Sequence, residues 1–113
     1  MWEPATNTIL QTVAIPRGQI ALARGTAIPD ARSFTVKATL GSPTAGIVSA
    51  TFLDQNFRTT EYTLTITVKD DCFTYEQEIL LEVAGRPEPF HHIDRNTLRR
   101  VAPPVPNPAV TAR

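Results

Sequence analysis

Two long segments in which apolar and polar residues alternate constrain the fold of this chain more than any other feature. They occupy residues 57–69 and 73–84, and the short polar turn Lys69-Asp70-Asp71-Cys72 joins them. In each segment every second residue shares one face, and these residues are mostly apolar or aromatic. They are Tyr62, Leu64, Ile66 and Val68 in the first segment and Phe73, Tyr75, Gln77, Ile79, Leu81 and Val83 in the second. Because successive side chains of a strand point to opposite faces, this pattern predicts an antiparallel β-hairpin.

Four further segments are typical of strands, although their alternation is shorter. They cover residues 8–15, 19–24, 33–40 and 91–101, and they are separated by turn residues such as Gly18, Gly25 and Pro29. Residues 41–56 lack a period of two and predict a loop with one helical turn. The six strands predict an all-β antiparallel meander. A barrel that holds a small ligand needs about eight strands, so six would leave open edges.

Charge and cysteine content exclude several classes of partner. The chain has 11 Lys and Arg residues against 11 Asp and Glu residues, so it lacks the basic surface that nucleic acids or anionic membranes would need. No apolar run approaches the length of a membrane span, and the first residues lack the pattern of a signal peptide. A lone cysteine, Cys72, fits a reducing compartment, so we expect a cytoplasmic protein.

The pair His91-His92 is the one suggestive chemical feature. The sequence has no nucleophile motif, no glycine-rich phosphate loop and no Cys/His metal spacing. Adjacent residues of a strand face opposite ways, so at most one imidazole can look into a barrel, where it could serve as an axial ligand of haem iron. The alternative is a histidine that hydrogen-bonds the turn at Glu88-Pro89. The acidic residues Glu76, Glu78 and Glu82 share the other face of their strand, which predicts a solvated surface.

A resemblance to a known family emerges from several stretches taken in order. Residues 8–18 resemble an apolar strand followed by Pro-x-Gly, and residues 57–68, 73–83 and 85–87 resemble a long hairpin and its closing turn. The segment FHHIDRNTLRRV resembles a final strand. Together these stretches, from Trp2 to Val101, are similar to the C-terminal part of the nitrobindin-like haem-binding β-barrel family, formerly grouped with fatty-acid-binding-like proteins.

The resemblance implies a closed, lipocalin-like barrel in the intact family. It also implies that one histidine, matching His91 or His92, binds b-type haem, and that the ferric haem binds nitric oxide and supports peroxynitrite isomerisation. This activity follows from the resemblance alone, since no hydrolase or transferase motif is present. The family's N-terminal strands have no counterpart here, so we expect residues 1–101 to be the C-terminal part of such a barrel, as in a fragment, and residues 102–113 to be a disordered proline-rich tail.

Three functions are therefore open at this point. The first is a haem-binding barrel, and the second is a carrier of a lipophilic small molecule without iron. The candidate pocket residues of such a carrier are Phe34, Phe52, Phe57, Tyr62 and Leu64. The third is a non-catalytic half-barrel that pairs with a partner. In each case we expect the open strand edges to favour self-association.

Overall fold

The computed structural model describes residues 1–111, most of which belong to one antiparallel sheet. The strands are β1 (Trp2–Glu3), β2 (Thr8–Ile15), β3 (Gln19–Thr26), β4 (Ser33–Thr39), β5 (Ile47–Ser49), β6 (Phe57–Lys69), β7 (Cys72–Val83) and β8 (Phe90–Arg99). Two short helices are α1 (Thr51–Asn56) and α2 (Pro108–Thr111). The sheet order is β1-β2-β3-β4-β6-β7-β8, and β5 pairs with β3. The six predicted strands and the helical turn within residues 41–56 are confirmed, and the very short strands β1 and β5 were not predicted.

The hairpin of β6 and β7 forms the longest paired element of the sheet. Its register runs from Lys69 opposite Cys72 to Phe57 opposite Val83, with an irregularity between Thr59 and Glu61. A bulge of this kind adds one residue to one strand and shifts the parity of its side chains. As a result Thr59 and Tyr62, whose numbers differ in parity, are both buried, each 4% exposed.

The core lies on one side of the sheet, which we call the core face. Its buried apolar residues are Ala21, Ala23, Val36, Ala38, Ile47, Tyr62 and Leu64. Three of these seven residues are alanines, so the core contains few large side chains. Strands β3 and β4 approach closely at Gly25, where a Cβ atom would lie 1.9 Å from the carbonyl oxygen of Thr35. A core of so few large side chains supplies only modest hydrophobic stabilisation.

The opposite side of the sheet, which we call the outer face, carries ion pairs and threonine pairs. Arg95 Nε donates to Glu76 Oε2 at 2.9 Å, and Lys37 Nζ lies 3.2 Å from Glu61 Oε1. Hydroxyl pairs join neighbouring strands at Ser33 and Thr67, Thr35 and Thr65, and Thr74 and Thr97. The prediction that Glu76, Glu78 and Glu82 lie on a solvated face is confirmed, since their side chains are 42 to 59% exposed.

The sheet does not close into a barrel. All ten residues of β8 are exposed, and β1 pairs with only two residues of β2. The accessible surface of 8355 Å² exceeds the value of about 6,100 Å² expected for a compact chain of this mass. Both the exposed strand β8 and the proline-rich tail contribute to this excess. The closed barrel implied by the resemblance is therefore present here as an open, barrel-like sheet.

The tail leaves the sheet after β8. Residues 101–107 have no regular structure, and α2 is a single turn in which the Asn107 side chain accepts a hydrogen bond from the backbone of Ala109. Side chains of residues 101–110 are exposed. The disorder expected for residues 102–113 stays a prediction, and residues 112 and 113 lie outside the described part of the chain. Neither helix of residues 1–111 has the length and apolar character needed to cross a membrane.

Candidate functional site

The two adjacent histidines of β8 lie on opposite faces of the sheet. In the pairing of β7 with β8, His92 is opposite Ile79 and His91 is opposite Leu80. Ile79 packs against the core, so His92 belongs to the core face. His91 belongs to the outer face, where its Nδ1 lies 3.1 Å from Glu78 Oε1. The predicted alternative, a histidine bonded to the turn at Glu88-Pro89, is wrong for His91, because its partner is a carboxylate on β7.

A cavity of about 380 Å³ opens beside His92 on the core face. It lies between the turn that joins β2 to β3, helix α1, the first residues of β6 and the paired strands β7 and β8. Its lining residues are Ile15, Arg17, Gln19, Leu53, Phe57, Thr59, Ile79, Leu81 and His92. The volume falls within the range of small-molecule sites, about 300 to 1,000 Å³. His91 does not contribute to this cavity.

Five apolar side chains make most of the cavity wall, and a buried polar pair contributes to it beside Arg17 and His92. Gln19 Nε2 donates to Thr59 Oγ1 at 2.8 Å and to Ser49 Oγ at 3.1 Å. These bonds satisfy the amide protons of Gln19, so its side chain is held in place by β5 and β6. A polar group that is already paired costs little to keep beside an apolar ligand.

The five residues predicted to line one pocket lie in different parts of the structure. Phe57 lines the cavity beside His92, whereas Phe34 lines an apolar hollow with Trp2 and Ile9 at the other end of the sheet. Phe52 is 66% exposed, with its ring centroid 6.3 Å from that of Phe57. Tyr62 and Leu64 are buried in the core between these places.

Tyr62 is the buried titratable residue of the core face. Its hydroxyl donates to Gln11 Oε1 at 3.1 Å. Burial raises the pKa of the Tyr62 phenol above its ordinary value, and the hydrogen bond with Gln11 opposes part of that effect. Tyr62 belongs to the buried core cluster and does not line the cavity beside His92.

Seven lining residues were missed by the sequence interpretation. Ile79 and Leu81 were assigned only to the apolar face of their strand, and the other five have separate physical reasons. Arg17 belongs to a turn, and Leu53 belongs to a helix without a clear period. Thr59 reaches the core face only through the bulge of β6. Ile15 and Gln19 flank the first hairpin turn, and the alternation of their strands identifies a face without showing which cavity it lines.

Comparisons with known proteins agree with this arrangement. A family model described as "THAP4-like, heme-binding beta-barrel domain" matches residues 1–100, which is nearly the whole chain. No match was found among curated proteins or among solved structures. The open antiparallel sheet, with one histidine beside a ligand-sized cavity on its core face, is consistent with that match. The chain therefore belongs to the family of THAP4-like, heme-binding β-barrel domains.

Proposed function

We propose that this chain binds b-type haem through His92 as the single axial ligand from the protein. The observation that carries the proposal is that His92 lines the cavity on the core face while His91 pairs with Glu78 on the outer face. A neutral imidazole is a common ligand of haem iron. The pairing of β8 with β7 would fix the orientation of the His92 imidazole. Membership in a heme-binding family supports the same cofactor.

The residues of the cavity fit such a group. A haem has a broad apolar body, and the walls offer Ile15, Leu53, Phe57, Ile79 and Leu81. Burial of such a body against apolar side chains contributes about 25 cal/mol for each Å² removed from water. The carboxylate-bearing edge of the macrocycle needs a polar or solvated position, and the cavity offers Arg17 at the turn between β2 and β3. No acidic side chain lines this cavity within residues 1–111, so the lining would not repel those carboxylates.

The chain's own residues would hold the ligand and limit its contact with water. The pairing of β7 with β8 sets the face of His92, and Leu53 on α1 adds an apolar side chain to the same cavity. His91 cannot supply a second imidazole, because it lies on the outer face. When bound, ferric haem with one protein ligand supplies an open coordination position for the nitric oxide and peroxynitrite chemistry that the resemblance implies.

A haem titration followed by the Soret band tests this proposal. We expect His92→Ala to lose the Soret shift of the wild-type chain, because it removes the axial ligand. His91→Ala is the matched control and should titrate like the wild type. An unchanged titration for His92→Ala would reject axial ligation. If that variant still bound an apolar fluorescent dye in the cavity, the alternative function, a carrier of lipophilic molecules without iron, would be favoured instead.

We also propose that a second copy of this chain associates with the open sheet. The supporting observations are the unpaired outer edge of β8, the exposure of all ten of its residues, and the large accessible surface. Unpaired strand edges favour pairing with another strand. A cytoplasmic location stays part of the proposal, in keeping with the unpaired thiol of Cys72.

Light scattering coupled to size exclusion tests the association. We expect the wild-type chain to elute as a dimer or larger species at micromolar concentration. The substitution Ile93→Lys should shift the chain toward monomer, because lysine on an edge strand opposes strand addition. Ile93 lies on the outer face and is 57% exposed, so the substitution should leave the core intact. A sharp, concentration-independent wild-type monomer that unfolds cooperatively would contradict the proposal.

A further inference from the structure

Within residues 1–111, Arg17 is the one arginine or lysine that lines the cavity beside His92. Its guanidinium forms no ion pair with any of residues 1–111. The acidic residue of α1, Asp54, is already paired with Arg58, whose Nε lies 3.2 Å from Asp54 Oδ1. Arg17 therefore presents an uncompensated positive charge to the ligand-binding cavity.

The turn that carries Arg17 is well defined by its backbone. Pro16 restricts the φ angle before Arg17, and Gly18 adopts a φ of +92°, which favours glycine. The N–H of Gly18 donates to the carbonyl oxygen of Ile15 at 3.0 Å, and the N–H of Ala50 donates to the carbonyl oxygen of Gly18 at 2.7 Å. The second bond ties the turn to the segment that leads into α1. These backbone contacts therefore hold the Cα atom of Arg17 at one edge of the cavity.

We propose that Arg17 binds a carboxylate of the cavity's ligand, which for a b-type haem is a propionate. The inference rests on the proposed function and deepens it, since it assigns the orientation of the ligand. The imidazole of His92 is on the β8 wall and the guanidinium of Arg17 is at the turn of β2 and β3. A macrocycle with its metal toward His92 and its acidic edge toward Arg17 would satisfy both. Guanidinium groups bind carboxylates with two parallel hydrogen bonds, which gives orientation as well as affinity.

The test uses a pair of metal-free porphyrins, protoporphyrin IX and its dimethyl ester, with binding followed by fluorescence. Neither contains iron, so axial ligation by His92 does not enter the measurement. We expect Arg17→Gln to weaken binding of the free acid by about twofold to fivefold, the range of one exposed charge pair, and to leave the ester unchanged. Arg17→Lys should recover part of the affinity, and added salt should reduce the wild-type preference for the free acid.

The control variant is Arg24→Gln. Arg24 is exposed on β3 next to the buried Ala23, so it points away from the core face, and its substitution changes net charge by the same amount. It should bind both porphyrins like the wild type. Equal loss of acid and ester in Arg17→Gln, no loss of either, or no preference of the wild-type chain for the free acid would overturn the proposal. Failure of the axial-ligand proposal would appear separately, as an unchanged Soret titration of His92→Ala with ferric haem.

Discussion

His92 lies directly opposite Ile79 in the pairing of β7 with β8, and both residues face the core side of the sheet. One position away, the opposed residues His91 and Leu80 face the outer side. A shift of this register by one residue would exchange the two histidines between faces. The chemical identity of the cavity wall therefore depends on the alignment of the last two strands.

Filling the cavity at Ile79 should block ligand binding. We expect Ile79→Trp to weaken haem binding by at least about tenfold, because the indole would occupy space beside His92, while overpacking destabilises the fold by about 1 to 3 kcal/mol. Leu80→Trp, on the outer face, should keep wild-type affinity. Haem titration together with far-UV circular dichroism measures both effects. Wild-type haem affinity in a folded Ile79→Trp variant would show that the ligand binds elsewhere.

Removing the hydroxyl of Thr59 should destabilise the chain. Thr59→Val leaves a buried amide proton of Gln19 without the acceptor that now lies 2.8 Å away, and such a loss costs about 1 to 3 kcal/mol. The measurement is the free energy of unfolding from urea titration. Thr65→Val is the control, since its hydroxyl pairs with Thr35 on the exposed outer face, and it should change stability by about 0.5 kcal/mol or less. Equal effects of the two substitutions would contradict this account.

Gly25 should not accept a side chain. A Cβ atom at this position would lie 1.9 Å from a backbone oxygen of Thr35, so Gly25→Ala requires β3 and β4 to separate. We expect a loss of about 3 kcal/mol or more, with reduced soluble yield. Gly85→Asn offers a comparison, because Gly85 has a φ of +82° and open space around its Cα, and asparagine tolerates that conformation. Near-normal stability of Gly25→Ala in urea unfolding would show that the two strands are not held this close.

Tyr62 should make stability fall at alkaline pH. Since the pKa of the Tyr62 phenol is raised in the folded chain, folding favours its protonated form. Its contribution to the free energy of unfolding is complete below the ordinary tyrosine pKa of 10.0 and is lost as the pH rises through the higher folded value. Tyr62→Phe should remove this part of the pH dependence and cost about 1 kcal/mol at neutral pH through the lost bond to Gln11.

Urea unfolding of both proteins between about pH 8 and pH 11, with absorbance at 295 nm, measures the effect. The difference between wild type and variant isolates Tyr62 from the other groups that titrate in this range. A wild-type curve parallel to that of Tyr62→Phe would contradict the assignment.

Local sequence patterns were enough to predict the six main strands, the hairpin of β6 and β7, and the solvated face that carries Glu76, Glu78 and Glu82. These are local properties, since alternation and turn residues act within a few positions of one another. The family could also be identified from the order of such segments. The short strands β1 and β5 left no such signal, because two or three residues are too few to show a period.

The face of each histidine and the set of residues that line the cavity depend on long-range pairing, so they could not be predicted from local patterns. The face of His92 depends on the register between β7 and β8, and the position of Thr59 depends on the bulge in β6. Phe52 illustrates the same limit. Its aromatic side chain made it a candidate for the pocket wall, but its position on α1 leaves it exposed. Strand pairing and burial are non-local, because they bring together segments that are distant in sequence. The alternation within one strand does not specify which residues of a neighbouring strand lie opposite it.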